Sequence, residues 1–238
     1  MSDPVSDVAH APVSEPTLDQ RVRLAIFQRL ADTGRPPVVE ELMAEFAMTR
    51  ADAVATLNRL AEARHIALVN GTARILMAFP FSGIATPFQV VTEDQSYFAN
   101  CAWDAVALHS TLGKDIRIES FCHHCGERIT IEMSGGRATL VEPAEALVFL
   151  ALRPAQWWQD IIATCSNTMV FFSSPAHRDA SDLAASPEAA ASLTPDQVHA
   201  LGIPLYEKKL DIDYARPGRD ELNAHFASLG LTGPYWQV

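Results

Sequence analysis

The hydrophobic period of this chain is helical at its start and mostly strand-like in the stretches that follow Gly113, and that order limits the folds open to it. From Leu18 to Ala61 apolar residues recur at helical spacing; after Gly113 they recur in short stretches bounded by turn residues, the mark of strands. Helices first and strands afterwards favour an α+β architecture over an alternating α/β one. The expected fold is an N-terminal winged-helix-like helical module followed by a mostly antiparallel sheet domain flanked by helices.

Val22, Ile26, Phe27 and Leu30 set one helical stripe, and Val39, Leu42, Met43 and Phe46 a second. Thr49, with Asp52 three residues on, opens a third helix whose apolar face is Val54, Leu57, Leu60 and Ala61. Ile66 to Val69 and Arg74 to Met77, around Asn70-Gly71, read as a hairpin. The outline is a winged helix-turn-helix over residues 17–78, then a Pro- and Gly-punctuated linker at 79–87 and a second domain at 88–238. Residues 1–16, rich in Pro, Ser, Asp and Ala without an apolar period, read as a disordered leader. Within the second domain, strands are expected at 88–92, 116–120, 129–133, 138–141, 146–151 and 168–172, with Gly135-Gly136 as a turn. Helices are expected at 195–201 and 220–229, with a helical turn at 157–162; residues 176–192 show no readable pattern.

Winged-helix modules that read DNA anchor on phosphates with basic side chains, so charge tests that use. Eight arginines and no lysine meet seven acids between Leu18 and Ala78, and the whole chain has a net charge of -11. Both facts favour a structural module and argue against nucleic acid or anionic membrane as partner. No apolar run approaches the ~20 residues that span a bilayer, and the first residues lack the basic end and apolar core of a signal peptide. Four cysteines in 238 residues are too few for a disulfide scaffold. The expected location is therefore the cytoplasm, and the thiols invite a chemical reading.

The sharpest chemical signal lies in Ser96 to Leu112, SYFANCAWDAVALHSTL. Asn100 is a good N-cap, Gly113 a good C-cap, and a helix between them puts Cys101 and Asp104 on one face. Helix amides and the dipole favour an anion there, which marks Cys101 as a candidate low-pKa thiol with a proton carrier beside it. Taken alone, the pair also fits a small buried hydrophobe and a first-turn acid. Cys122 and Cys125 form FCHHCG between two expected strands, half of a zinc site or a redox pair, with His123 and His124 as further donors. Strong zinc signatures have a second close pair, and the chain offers only the isolated Cys101 and Cys165. Cys165 stands just ahead of the TMVFF strand, where it also fits a buried apolar thiol.

Taken together, these residues resemble the organomercurial (alkylmercury) lyases. The likeness rests on Cys101-Ala102-x-Asp104 after Tyr97 and Phe98, on Cys122 with Gly126 four residues later, and on Cys165-x-Asn167 leading to Phe171-Phe172-Ser173. It covers roughly residues 18 to 238. The resemblance implies protonolysis of a carbon–mercury bond, giving a hydrocarbon and Hg2+. Cys101 and Cys165 would hold the mercury as thiolates, with Asp104 as proton carrier and further ligand. It implies no bound organic cofactor, solvent thiols as co-reactant, and hand-off of Hg2+ to a thiol-bearing reductase. Cys122 matches a cysteine regarded as structural in that family; Cys125 and the His123-His124 pair depart from its pattern and leave metal binding open for the turn. Trp103, between the key residues, is placed to shape a pocket for the organic group. The alternative reading is a metal- or thiol-sensing winged-helix transcriptional regulator.

Overall fold

In a computed structural model of the chain, residues 15–183 and 189–238 are described. The expected leader falls outside them for residues 1–14, as does 184–188 of the stretch without readable pattern. The architecture is α+β, and among the described residues every strand pairing is antiparallel.

The chain opens with α1 (Leu18–Thr33), α2 (Val39–Phe46) and α3 (Arg50–Glu62). Thr17 and Gln20 make a reciprocal cap at the start of α1, and Gly34, at φ 66°, ends it. Thr49 accepts the Asp52 amide at 3.2 Å to start α3. β1 (Ile66–Leu68) and β2 (Ile75–Ala78) form the expected hairpin. The stretch read as a linker carries a third strand of this sheet, β3 (Phe81–Ser82), because Phe79 and Phe81 are too apolar to leave in water and are buried. Phe81 meets Phe27 of α1 with ring centroids 6.5 Å apart, so the N-terminal helices and this sheet share one core.

β4 (Gln89–Val91), β5 (Ser96–Phe98), β6 (Ile116–Phe121), β7 (Arg128–Ser134) and β8 (Arg137–Glu142) build a sheet in the order β5-β4-β6-β7-β8. Gly135 and Gly136, both at positive φ, make the β7–β8 turn. Between β5 and β6 runs α4 (Ala102–Leu112), ended by Gly113 at φ 60°. Nine of its eleven residues are buried, so α4 is the central helix and its face pattern cannot be amphipathic. β9 (Leu147–Leu150), β10 (Met169–Phe172) and β11 (Ala191–Leu193) form a third sheet with β9 in the middle. β9 and β10 are buried at every position, which explains their unbroken apolar sequence.

The remaining helices are α5 (Ile161–Thr168), α6 (Pro175–Asp179), α7 (Pro195–Tyr206) and α8 (Arg219–Ser228). The helical turn expected at 157–162 is displaced: a short 3-10 turn covers Pro154–Gln156, and α5 starts at Ile161 because Asp160 caps it through the Ala163 amide at 3.0 Å. From α1, buried Arg23 donates to Lys209 O at 2.7 Å and to Asp211 O, locking α1 to the segment after α7.

Candidate active site

Helix α4 begins one residue later than the asparagine cap predicts. Cys101 itself is the N-cap, at φ -156° and ψ 178°, and its Sγ accepts the Asp104 amide at 3.4 Å. Asn100 is drawn elsewhere: its Nδ2 donates to Pro80 O, to Phe81 O and, at 2.9 Å, to Asp104 Oδ2. The turn of backbone before β3 thus orients the asparagine, and the asparagine orients the carboxylate. Tyr206, at the end of α7, donates to the other oxygen, Asp104 Oδ1, at 2.7 Å.

Cys165 lies not at the start of a strand but inside α5, four residues ahead of β10. A capped helix at Asp160 with Thr168 Oγ1 bonded back to Thr164 O at 2.7 Å keeps this stretch coiled until Met169. The helix carries the Cys165 sulfur to the mouth of α4. Cys101 Sγ, Cys165 Sγ and a carboxylate oxygen of Asp104 all lie within 4.8 Å of one another. Exposure of the three residues is 1%, 3% and 1%, so charges here are formed away from water. Met169 adds its sulfur 3.8 Å from Cys101 Sγ.

Burial reverses the expectation of a low-pKa Cys101. Desolvation pushes that thiol well above its ordinary value, its hydrogen bond with Cys165 and the neighbouring Asp104 charge add to the rise, and the Asp104 amide offsets only part of it. For Cys165 the bond to Cys101 favours the thiolate, but burial and Asp104 outweigh it and leave the thiol raised. Asp104 is raised to about 6 by burial, against the hydrogen bonds from Asn100 and Tyr206 and the charge of Lys209, which hold it down. Lys209 is 1% exposed, and its Nζ sits 4.7 Å from the Tyr214 ring and 5.2 Å from that of Phe27. At neutral pH the resting site therefore holds two protonated thiols beside one carboxylate that is ionised and ready to accept a proton.

A cavity of about 30 Å3 touches all three groups and is walled by aromatic rings. Trp103 stands edge-on to Trp157 at 4.9 Å, and Phe79 to Trp158 at 5.4 Å. Trp103 does line this pocket.

Cys122 and Cys125 are not part of this site. They lie in the β6–β7 turn, at the far end of β10, where they meet His177 of α6. Burial raises the Cys122 thiol, but the Ser173 hydroxyl and the amides of Ser173, Cys125 and His124 more than offset it and bring it to about 6. His123 turns away to pack on Phe172, with ring centroids 5.9 Å apart. Sequence reasoning missed Tyr206, Asn100 as carboxylate holder, and His177. Nothing local marks the first or the last, since each meets its partner across more than 50 residues of chain.

The family model of alkylmercury lyase matches residues 81–207, more than half of the chain. Curated alkylmercury lyases of Bacillus cereus and Clostridium butyricum are each 33% identical over 92 residues, which is 39% of this chain and 41% of theirs. The chain therefore matches under half the length of these relatives. A solved structure described as the mercury-bound form of MerB2 superposes with a TM-score of 0.64 at 22% identity, covering 82% of this chain and 93% of that one. The likeness to that structure is one of fold, while the matched stretch from β3 to the end of α7 holds Cys101, Asp104, Cys165 and Tyr206. By that match, the chain belongs to the alkylmercury lyase family.

Proposed function

We propose that the protein is an organomercurial lyase that cleaves the carbon–mercury bond of R-Hg+ by protonolysis. The observation that carries the reading is the grouping of two thiol sulfurs and a carboxylate oxygen within 4.8 Å in a water-poor pocket. Soft sulfur selects a soft cation, and the carboxylate is the weaker ligand but the better proton carrier. When mercury bonds to the Cys101 sulfur, the thiol proton passes to Asp104, ionised at rest because its pKa is only about 6. Cys165 adds a second sulfur and releases its thiol proton to solvent; the sulfur pushes electron density onto the metal and weakens its bond to carbon. Asp104 then returns its proton to the carbon: the C–Hg pair becomes a C–H bond, R-H leaves, and Hg2+ stays between the sulfurs. Two solvent thiols take the metal and restore the cysteine protons.

No organic cofactor takes part in this scheme, and a thiol-bearing reductase is a fitting recipient of Hg2+. Thiols that must stay reduced suit the cytoplasm. The helices α1–α3 with β1–β2 form a winged-helix-like module at 17–78 that serves packing. Of its eight arginines, Arg29, Arg35, Arg50 and Arg59 pair with acids, Arg23 is bound to backbone, and Arg64 lies over Trp158. Little charge is left for phosphates, which weighs against the regulator reading.

The test is release of benzene from phenylmercury, or methane from methylmercury, in excess thiol. Product above background that vanishes in Cys101→Ala supports the proposal. Background turnover by the intact protein, or full activity after that substitution, refutes it.

A further inference from the structure

The β6–β7 turn is built like a metal-binding knuckle. Gly126, at φ 74°, reverses the chain; the Cys122 amide donates to Glu127 O at 2.8 Å and the Gly126 amide to Cys122 O at 2.9 Å. α6, which starts just past β10, brings a third donor to this loop. His177 Nδ1 lies 3.5 Å from Cys125 Sγ and 3.8 Å from Cys122 Sγ, and the three atoms lie within 4.8 Å of one another. Bonds of ~2.3 Å to sulfur and ~2.05 Å to nitrogen at the tetrahedral angle set S and N ligand atoms about 3.6 Å apart around zinc. The observed separations bracket that value.

The contacts also exceed what one ring nitrogen can satisfy. Nδ1 meets both sulfurs and, at 2.6 Å, Ser173 Oγ, yet an imidazole nitrogen has one proton to give or one lone pair to share. A cation among them uses the lone pair of the neutral ring and both thiolates at once. Ser173 Oγ, which also bonds the Cys122 sulfur, is then free to donate to the thiolate.

We propose that Cys122, Cys125 and His177 bind one zinc-class divalent cation, with the fourth position taken by water or by Glu127, whose Oε2 stands 4.0 Å from His177 Nδ1. Thiolate and imidazole donors suit this class of metal and not magnesium or calcium. Binding releases the two thiol protons to solvent and involves no redox step. Cys125 is exposed, so the cation enters from the surface. The site shares no residue with the buried group at Cys101. Met169 touches Cys101 at one end of β10 and Ser173 touches His177 at the other, about 13 Å of strand apart. The proposal therefore does not rest on the lyase reading; the metal ties the β6–β7 turn to α6.

The test uses the full-length protein, reduced, stripped with chelator and titrated separately with zinc and with cobalt(II), with bound metal counted and the cobalt absorption recorded. The expected result is about one tight equivalent with the thiolate charge-transfer and tetrahedral d–d bands of cobalt, in the wild type and in Cys101→Ala. Cys125→Ser and His177→Ala, both at solvent-accessible positions, should each lose the tight equivalent and the bands. The proposal is overturned by a wild type that takes up no tight equivalent. It is equally overturned by a signal that survives Cys125→Ser and His177→Ala but disappears in Cys101→Ala, which assigns the metal to the buried group.

Discussion

Replacing Asp104 with asparagine separates the cost of its charge from its packing. The folded protein moves this carboxyl from 3.8 to about 6, burial being the main cause, and at full burial that change corresponds to about 3 kcal/mol against the ionised form. Because Asp104 holds its proton more tightly folded than unfolded, its contribution to stability is fully present below about pH 4 and is lost as pH rises through 6. Glu41, lowered to about 2 chiefly by its bond with Arg35, has the opposite sign: its contribution is fully present above its unfolded pKa and is lost as pH falls toward 2. It is the same in both proteins and cancels in their difference. Asp104→Asn can be housed without loss of partners: the amide oxygen accepts from Asn100, and the amide nitrogen donates to the Tyr206 hydroxyl, which turns to accept. Urea unfolding at pH 4 to 8 is the assay. The stability of Asp104→Asn relative to the wild type should climb by about 2.5 kcal/mol across that range, most of it between pH 4 and 7. A constant difference across pH, or one that falls as pH rises, refutes the burial argument.

The same contacts set four further outcomes. The pH profile of kcat/KM should have an acid limb near 6, since Asp104 must be ionised to take a thiol proton; Tyr206→Phe, which removes a bond favouring the anion, should move that limb upward by about one pH unit or more. Gly202→Ala should destabilise by ~1–3 kcal/mol in urea despite its better helix propensity, because a Cβ there falls 2.9 Å from Trp103 Nε1 and 3.1 Å from Tyr206 Cδ2. Trp158→Ala should raise the kcat/KM ratio of phenylmercury over methylmercury by roughly 10-fold, since Trp158 is one of the rings that narrow the cavity to about 30 Å3. Cys165→Ser should abolish turnover measured as hydrocarbon release, while Cys125→Ser should not.

The closed pocket has a chemical consequence. A buried thiol pair that is protonated at rest does not need to be a free nucleophile; in the proposed reaction the incoming metal supplies the charge that makes thiolate formation favourable, and Asp104 would take the Cys101 proton. The helix N-terminus contributes one amide to Cys101, too little against full desolvation. Local reasoning about the helix mouth assigned the resting state of the Cys101 thiol in the wrong direction, because burial is not encoded in five residues of sequence.

The sequence by itself determined the order and kind of most elements. Capping residues and apolar period are local properties, and Thr49, Gly113 and the Gly135-Gly136 turn act as the sequence suggests. It also marked Cys101, Asp104 and Cys165 as residues worth grouping. Only the tertiary structure decided that their ligand atoms meet, since Cys165 arrives from α5 and Tyr206 from α7, both distant along the chain. It decided that the first part of the expected linker, Phe79 to Ser82, is buried and carries a strand, because Phe81 packs on Phe27 of α1 and Phe79 on Trp158, both distant along the chain. It decided, too, that the partner of Cys122 and Cys125 is His177, and not the adjacent His123. Side chains next to each other in an extended turn point apart, whereas the end of a strand can carry a distant histidine onto the same face.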